Sequence, residues 1–348
     1  MISIQEHVSL APFTTLRVGG ATRFFCQPHS EADIMEVLSR ARQESLPVFI
    51  LGGGSNLLVS DAGFDGLVVR MALATIEIRE KGDQHIYSAG AGVEWDALVA
   101  RAVSDNCAGV ECLSGIPGTV GGTPIQNVGA YGQDVSESIV TVKAIEAATL
   151  RPVRFSNAEC KFRYRHSRFN THDLGRYIVT RVEFALRPGG RPKLAYAELE
   201  RQFHGQDAPT VASVREAVLA IRRTKGMVVD ENDPDSQSAG SFFQNPIVTE
   251  DEYEKIAAAS SVPVPHFAAA EGQTKLAAAW LIEQSGLHKG FTLGKAGISS
   301  KHTLALINRG GATAEDIVML MEFVQRRVHE RFGIALRPEP VMLGFSKR

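Results

Sequence analysis

The 348-residue sequence lacks several features that would assign a protein to a class at once. It has no run close to the ~20 apolar residues that a membrane-spanning helix needs. Its first residues show neither the basic nor the apolar stretch of a secretory signal peptide. The formal net charge is −2, and there is no basic block of the kind that binds nucleic acid. We therefore expect a cytoplasmic protein that binds neither membranes nor nucleic acid.

Cysteine is scarce, and its four copies form no C-x-x-C pair. The ten histidines are scattered, without the spacing that metal ligands on one element show. No metal site is predicted. Free thiols in a reducing compartment are expected at Cys26, Cys107, Cys112 and Cys160.

Glycine, by contrast, is concentrated in residues 114–132, which contain six glycines and two prolines. Glycine costs roughly 0.5–1 kcal/mol relative to alanine in a regular element, so an ordinary helix or strand is excluded here. A flexible linker is polar, whereas this stretch also carries apolar residues such as Val120 and Tyr131. The stretch predicts an ordered loop whose backbone lies close to a ligand.

A second glycine-rich loop, residues 52–56, follows the apolar run 48–51, which predicts a strand buried on both faces. Consecutive N–H groups exposed by glycines bind anions, and Ser55 and Asn56 add side-chain donors. Neither the Rossmann nor the P-loop fingerprint is present. A tight turn would explain two glycines, but both loops together predict a ligand with two phosphates or a long dinucleotide.

Local patterns predict the surrounding elements. Ser30 is placed to cap a helix, and strands are predicted at 86–89, 139–145 and 177–186. A helix is predicted over 275–285, and another begins after Thr313 and ends at Gly333. The length predicts more than one domain. We expect three parts, residues 1–70, 71–222 and 223–334, with the tail 335–348 packing near the first part.

Three more segments carry candidate chemistry, each with a plain structural alternative. Ser241 is either catalytic or part of a turn whose two phenylalanines fill a core, and the isolated pattern favours the turn. If residues 161–168 form a strand, Arg165 either clamps a carboxylate or lies on a solvated face, which is the default. Glu339, between two prolines, is either a rigidly held acid or an exposed turn carboxylate, the safer interpretation.

Taken in order, these segments closely resemble the UDP-N-acetylenolpyruvoylglucosamine reductase (MurB) family. The matching motifs are residues 51–59, residues 115–132, Tyr-Arg-His-Ser at 164–167, Gly-Ser-Phe-Phe-Gln-Asn-Pro at 240–246, and Pro-Glu at 338–339. They extend over nearly the whole chain. The first two alone indicate an FAD-binding module of the vanillyl-alcohol-oxidase type, and the other three indicate the reductase.

The resemblance implies an α+β fold. Residues 1–70 and 71–222 would be the two subdomains of an FAD-binding module of the vanillyl-alcohol-oxidase (PCMH) type, and residues 223–334 an α+β substrate-binding domain. It also implies that NADPH reduces non-covalently bound FAD. Hydride then passes to the enolpyruvyl group of UDP-N-acetylglucosamine enolpyruvate, which gives UDP-N-acetylmuramate for peptidoglycan. A monomer is expected.

The motif matches also imply residue roles. Arg165 would neutralise the substrate carboxylate and the developing charge, protonated Glu339 would lie against the same group, and Ser241 would donate the proton. The implied FAD contacts are Gly52, Gly53, Gly54, Ser55, Asn56, Gly115, Gly118, Gly121, Gly122, Gln126, Asn127 and Gly129. The implied substrate contacts are Tyr131, Lys225, Asn245 and Tyr196, the last from the tyrosine loop of the family's first subclass.

Two residues depart from the family pattern. Gln244 stands where lysine is common, which puts one charge contact in doubt, and Pro340 follows Glu339 where many members have valine.

Two other functions stay open. A sugar or alcohol oxidase can use the same flavin module, but such enzymes often tether FAD through a histidine in the first glycine loop. Residues 51–60 contain no histidine, which disfavours a covalent flavin there. A non-catalytic FAD- or nucleotide-binding protein is the second alternative, and it predicts that Ser241 is dispensable.

Overall fold

The structure, a computed structural model, describes residues 2–205 and 208–345. The chain divides into two compact units that interleave in sequence. The first unit comprises Met1–Val8, Thr22–Gly54 and Asp65–Thr224, and the second comprises Ser9–Ala21, Ser55–Phe64 and Lys225–Arg348. Both predicted FAD subdomains fall largely within the first unit, so the three-part division of the chain stays a prediction.

Short strands outnumber helices along the described chain. In chain order the strands are β1 (Ile4–Ser9), β2 (Ala21–Cys26), β3 (Val48–Leu51), β4 (Leu57–Val59), β5 (Phe64–Arg70), β6 (Ile76–Lys81), β7 (Gln84–Gly90), β8 (Cys107–Ala108), β9 (Gly129–Ala130), β10 (Gln133–Asp134), β11 (Ile139–Glu146), β12 (Pro152–Ser156), β13 (Tyr177–Pro188), β14 (Ile247–Thr249), β15 (His266–Ala268), β16 (Gln273–Leu276), β17 (Thr292–Leu293), β18 (Ala296–Ile298), β19 (Leu306–Asn308) and β20 (Val341–Leu343). The α-helices are α1 (Glu31–Gln43), α2 (Trp95–Ser104), α3 (Ala197–Gln202), α4 (Val211–Thr224), α5 (Glu250–Ala259), α6 (Ala278–Gln284) and α7 (Ala314–Phe332).

The first unit contains two large sheets and the short β9-β10 pair. One has the strand order β1-β2-β5-β3, and α1 packs its apolar stripe into a core with residues of β5. Ser30 caps α1 as predicted, because its hydroxyl accepts from the Asp33 N–H while the Asp33 carboxylate accepts from the Ser30 N–H. The other sheet has the order β12-β11-β13-β7-β6, with β8 also paired to β13. The three predicted strands are confirmed as β7, β11 and β13.

The strand over residues 48–51 forms, but the prediction that both its faces are buried is wrong. β3 lies at the edge of its sheet, parallel to β5, and Val48 is 37% exposed. A short apolar run is compatible with both a central strand and an edge strand, so the sequence alone does not distinguish them.

The second unit contains three small sheets around a large core. Their strand orders are β14-β16-β15, β17-β18-β19 and β20-β4. In the last of these, residues 341–343 of the C-terminal segment pair in parallel with residues 57–59. The core includes Phe242, Phe243, Leu281 and the apolar face of α7.

One predicted helix begins later than expected, and the other is confirmed. Lys275 and Leu276 belong to β16, which pairs with both β14 and β15, so the helix is Ala278–Gln284 rather than 275–285. Thr313 caps α7 and Gly333 ends it at φ +70°. None of the helices in the described ranges is long and apolar enough to cross a membrane.

Candidate functional site

The two glycine-rich loops predicted separately from the sequence contact each other in the first unit. A Cβ at Gly53 would lie 2.5 Å from the Gly118 Cα, and a Cβ at Gly52 would lie 2.8 Å from the Thr119 Oγ1. Any side chain at Gly53 would therefore force the backbone of residue 118 to move. We call residues 52–54 and 115–122 the glycine cradle.

Packing inside the protein explains several glycines of the cradle. A Cβ at Gly121 would lie 2.6 Å from the Ala91 Cβ, and the Gly121 N–H donates to the Ala91 carbonyl. Gly115 has φ +70°, and its N–H donates to the Asp96 Oδ1 at 2.6 Å. Because these two N–H groups are engaged by the protein, a cofactor contact at either residue would use other atoms.

Two features of the cradle are not explained by internal packing. The Thr119 Oγ1 is buried and has no hydrogen-bond partner among the residues that the structure describes. A buried hydroxyl without a partner is costly. Gly122 is exposed, and a Cβ there would meet no atom within 4 Å. An open glycine and a buried donor fit a polar ligand at this place.

An ion pair supports the start of the cradle. The Arg215 guanidinium donates to both oxygens of Asp96, at 2.6 and 2.7 Å, while the Asp96 Oδ1 holds the Gly115 N–H. Burial on its own raises the pKa of Asp96, but the hydrogen bonds from Arg215 and Gly115 lower this pKa below its ordinary value. Sequence reasoning missed this pair, because its members lie 119 positions apart.

The far end of the long loop is fixed by side chains of the first unit. The buried Asn127 donates from Nδ2 to the Arg163 carbonyl and accepts at Oδ1 from the Ser136 N–H, both at 3.1 Å. A Cβ at Gly129 would lie 1.7 Å from the Asp134 Oδ1. Asn127 and Gly129, predicted as FAD contacts, thus both have roles in holding the loop. Gln126 beside them is half-buried.

Arg165 lies in a tight turn, so the strand considered for residues 161–168 does not form. Arg163 and His166 exchange backbone hydrogen bonds of 2.9 and 3.1 Å, and Arg165 has φ +56°. This conformation is uncommon for a residue with a side chain, and it persists where the surroundings fix it. Here Asn170 donates to the Arg165 carbonyl, and the Arg165 guanidinium donates to the Gly129 carbonyl at 3.1 Å. The turn therefore joins the half-buried Arg165 to the end of the long loop.

Two of the predicted substrate contacts meet in the first unit. The rings of Tyr131 and Tyr196 pack edge to face, with centroids 5.2 Å apart. Arg222 of α4, which sequence reasoning missed, is buried and hydrogen-bonded to Tyr131. Burial lowers the pKa of Arg222, while Tyr131 and Asp96 oppose that shift. Its signal in the sequence is a cation four residues after Val218, within the apolar stripe of α4.

The second unit carries Ser241 and Glu339 on adjacent segments. Phe242 and Phe243 are 0% and 1% exposed and fill the core, as the turn interpretation predicts, and this anchors Ser241 beside them. The Glu339 N–H donates to the Phe242 carbonyl at 2.8 Å, and Phe243 pairs with Pro338 in an antiparallel bridge. The structure thus brings the two residues together along the backbone. We call residues 238–246 the Ser241 segment.

Glu339 is held from its other side by residues predicted to contact FAD. The Asn56 Nδ2 donates to the Glu339 carbonyl at 3.3 Å, and the Val341 N–H donates to the Asn56 carbonyl at 3.0 Å. Pro340 between them is buried. The Ser55 carbonyl accepts from the Thr15 hydroxyl at 3.5 Å. Ser55 and Asn56 belong to the second unit, whereas Gly52, Gly53 and Gly54 belong to the first.

The remaining predicted contacts also lie in the second unit. Asn245 accepts at Oδ1 from the Ala278 N–H at 2.9 Å, which satisfies the first N–H group of α6. Lys225, the first residue after the boundary between the units, is half-buried. Ligand contacts by Lys225 and Asn245, like those by Tyr131 and Tyr196, stay predictions.

The four cysteines are free, as expected, and all four are buried. Across residues 2–205 and 208–345, no three His, Cys, Asp or Glu side chains are grouped so as to hold a metal ion.

Known proteins match both parts of this arrangement. A family model described as FAD binding domain matches residues 22–149, and one described as UDP-N-acetylenolpyruvoylglucosamine reductase, C-terminal domain, matches residues 233–343. The chain is 45% identical over 356 residues to the UDP-N-acetylenolpyruvoylglucosamine reductase of Thermobifida fusca, with 99% of each chain covered. It is 44% identical over 358 residues to the enzyme of that name from Mycobacterium tuberculosis, which covers 98% of this chain and 95% of the relative.

A solved structure agrees with these matches. The crystal structure of UDP-N-acetylenolpyruvylglucosamine reductase (MurB) from Thermus caldophilus is similar with a TM-score of 0.68 and 25% sequence identity, covering 99% of this chain and 100% of that one. The predicted α+β fold, with an FAD-binding module followed by a second domain, is confirmed.

Proposed function

This chain belongs to the UDP-N-acetylenolpyruvoylglucosamine reductase family, and on that premise we propose that it reduces UDP-N-acetylglucosamine enolpyruvate to UDP-N-acetylmuramate with FAD and NADPH. The product is a precursor of peptidoglycan. Support comes from similarity along nearly the full length of the relatives. The two matched regions contain the whole glycine cradle and both Ser241 and Glu339.

The observation that carries this proposal is the pairing of the Ser241 segment with the segment of Glu339. Two residues that lie almost a hundred positions apart are aligned by the 2.8 Å bond from the Glu339 N–H to the Phe242 carbonyl. A purely structural turn needs the buried phenylalanines, but it does not need a serine and a glutamate on the two bonded segments.

FAD fits the glycine cradle on two observations of this chain. The cradle is narrow, since a Cβ at Gly53 has no room, and it presents the unpartnered buried hydroxyl of Thr119 beside Gly52. We propose that residues 52–54, Thr119 and Gly122 hold the cofactor, without a covalent bond because residues 51–60 contain no histidine. When bound, FAD supplies the hydride-transfer chemistry between NADPH and the enolpyruvyl group.

Arg165 is proposed to stabilise the negative charge of the substrate carboxylate and the charge that develops during reduction. Reduction adds hydride to the CH₂ carbon of the enolpyruvyl double bond, so charge develops on the adjacent carbon and its carboxylate. A fixed guanidinium stabilises such charge more in the transition state than in the ground state. The turn that holds Arg165 at φ +56°, with its guanidinium bonded to the Gly129 carbonyl, supports this role.

Ser241 is proposed to donate the proton that completes the reaction. Its O–H bond breaks and a C–H bond forms at the carbon next to the carboxylate, which turns the vinyl ether into a lactyl ether. A hydroxyl is a weak acid, but the enolate-like acceptor is strongly basic. Protonated Glu339 would donate a hydrogen bond to the same group. Tyr131, Tyr196, Lys225 and Asn245 are proposed to bind the UDP-sugar.

We also propose that the enzyme acts in the cytoplasm as a monomer. Four free, buried cysteines suit a reducing compartment. Light scattering of the purified protein tests the monomer, and a dimer mass would contradict it.

Steady-state turnover tests the proposed function. NADPH oxidation should depend on UDP-N-acetylglucosamine enolpyruvate, and the product should gain two hydrogens by mass spectrometry. UDP-N-acetylglucosamine, which lacks the enolpyruvyl group, is the matched control and should give no turnover. The proposal would be contradicted if NADPH were oxidised at the same rate with either compound, or if the enolpyruvyl substrate gave no NADPH oxidation.

A further inference from the structure

Glu111 is a buried carboxylate with no place in the proposed chemistry. It is 1% exposed and lies in the turn before the glycine cradle. Its Oε2 accepts from the Gly109 N–H at 2.7 Å, and its Oε1 accepts from the Lys193 N–H at 2.9 Å and from the Gln133 Nε2 at 3.3 Å. A carboxylate this deeply buried is maintained only by such bonds.

The three groups bonded to Glu111 come from distant parts of the first unit. Gly109 precedes the long glycine-rich loop, and Gln133 follows its last residue. Gln133 also accepts at Oε1 from the Cys112 N–H at 3.0 Å, which ties the two ends of the loop together. Lys193 lies three residues before Tyr196. One side chain therefore joins the loop to the Tyr196 segment, residues 191–196.

Lys193 is held at three points. Besides the bond from its N–H to Glu111, its carbonyl accepts from the Cys112 Sγ at 3.1 Å. Its Nζ donates to both oxygens of Glu137, at 2.7 and 2.8 Å. The next residue, Leu194, packs against a buried cluster that includes Leu199. The beginning of the Tyr196 segment is thus fixed to the protein by backbone and side chain alike.

Tyr196 lies between the fixed Lys193 and the start of α3. Its side chain is 39% exposed, and its ring meets Tyr131 edge to face. Its carbonyl accepts from the Glu200 N–H at 2.9 Å, which joins it to α3. Lys193 and Leu194 fix the chain on the other side of Tyr196, so a shift of Lys193 would be transmitted toward the Tyr196 ring.

We propose that Glu111 is a positioning residue for substrate binding, acting through Lys193 to present Tyr196 to the UDP-sugar. This inference rests on the proposed function and adds to it a residue outside the family motifs that carried that function. Glu111→Gln is the informative change, because the amide keeps the shape but turns an NH₂ group toward an N–H donor. We expect the Kd of UDP-N-acetylmuramate and the KM of the enolpyruvyl substrate to rise about tenfold.

A double-mutant cycle with Tyr196→Ala separates positioning from general destabilisation. The Kd of UDP-N-acetylmuramate is measured by titration calorimetry on the FAD-loaded enzyme, and KM and kcat by turnover. If Glu111 acts through Tyr196, Glu111→Gln raises Kd about tenfold in the wild-type background and less than about twofold when Tyr196 is alanine. An equal rise in both backgrounds, or no rise in either, overturns the proposal.

Glu183→Gln is the matched control. Glu183 is a carboxylate of the same unit, 5% exposed, with ion pairs to Arg79 and Lys143 rather than to the Tyr196 segment. It should lower the unfolding temperature without changing Kd. A rise in Kd for Glu183→Gln equal to that for Glu111→Gln overturns the proposal, because the effect would then follow loss of any buried carboxylate.

A second variant serves if Glu111→Gln does not fold. Lys193→Gln removes the ion pair with Glu137 and keeps the backbone bond to Glu111. It should raise Kd by a smaller factor that also disappears in the Tyr196→Ala background, and a rise that persists there overturns the proposal. Wild-type enzyme without turnover would contradict the proposed function itself. If the wild-type enzyme is active but the effects of Glu111→Gln and Tyr196→Ala on Kd are additive, the positioning role of Glu111 is contradicted and the proposed function is not.

Discussion

In the glycine cradle a Cβ at Gly53 would lie 2.5 Å from another backbone, whereas in the Ser241 segment a Cβ at Gly240 would meet no atom within 4 Å. Gly240 is a glycine for a different reason, since its φ of +73° disfavours other residues. In the cradle the shape of the backbone is the feature that a ligand meets. In the Ser241 segment we propose that the backbone aims one reactive side chain.

Removing that side chain should have the largest effect. Because Ser241 is the proposed proton donor, Ser241→Ala should slow reduction of the enolpyruvyl substrate by about 10²–10⁴-fold. Reduction of the enzyme by NADPH needs no such proton and should proceed as in wild type, which makes it the internal control. Rapid-mixing measurements of the two half-reactions check this. Substrate reduction within about twofold of wild type would refute the acid role.

Adding a methyl group at two positions of the glycine cradle should distinguish glycines needed for packing from glycines needed for FAD binding. Gly53→Ala places a methyl group against the Gly118 backbone, so the free energy of unfolding of the apoprotein should fall by about 1–3 kcal/mol. Gly122→Ala meets open space and should leave that stability unchanged while weakening FAD binding. Urea unfolding and FAD titration measure the two effects. The cradle assignment fails if Gly122→Ala binds FAD as tightly as wild type.

The ion pair between Asp96 and Arg215 stabilises the start of the glycine cradle, and this stabilisation should depend on pH. Asp96→Asn removes the partner of Arg215 and Gly115, which should cost about 1–2 kcal/mol of unfolding free energy near neutral pH. Solvent screens this ion pair, because the Asp96 side chain is 38% exposed. Folding lowers the pKa of Asp96, so its stabilisation is present above the ordinary value of 3.8 and is lost as the pH falls through the lower folded pKa.

The difference in stability between wild type and Asp96→Asn should therefore shrink as the pH falls below 3.8. Urea unfolding of both proteins over a pH series measures it. A difference that grows on acidification would mean that the sign of the pKa shift is wrong.

The smallest effect is expected from the backbone of the Ser241 segment. Gly240→Ala introduces no clash, but at φ +73° it should cost about 1 kcal/mol of stability and slow substrate reduction by less than Ser241→Ala does. Gly82→Ala is the matched control, since Gly82 has φ +62° and equally open space. Both variants should lose similar stability, and Gly82→Ala should keep full activity. Equal rates for the two variants would show that Gly240 does not aim Ser241.

Signals carried by neighbouring residues were predictable from the sequence. The caps at Ser30 and Thr313, the end at Gly333 and the two glycine-rich loops all depend on local chemistry. The exposed edge position of β3 and the start of α6 after β16 depend on which strands pair, so the sequence misled there. The turn at Arg165 contains neither glycine nor proline, and side chains outside it hold it, namely the nearby Asn170 and the more distant Asn127.

The supporting residues of the site were the least predictable. Asp96, Glu111 and Arg222 are charged residues whose importance comes from partners far away in sequence and, for Glu111 and Arg222, from burial. Their types and local spacing fit a solvated surface equally well. Ser241 shows the converse, because its pattern alone favoured a structural turn, and the family motif together with Glu339 on the adjacent segment favours chemistry.

The measurement that tests the account most directly is a single anaerobic turnover. Purified FAD-loaded enzyme is reduced with one equivalent of NADPH, and UDP-N-acetylglucosamine enolpyruvate is then added while the flavin absorbance is followed. We expect rapid return of the oxidised flavin spectrum, with one equivalent of UDP-N-acetylmuramate formed. A flavin that stays reduced until oxygen is admitted would contradict it.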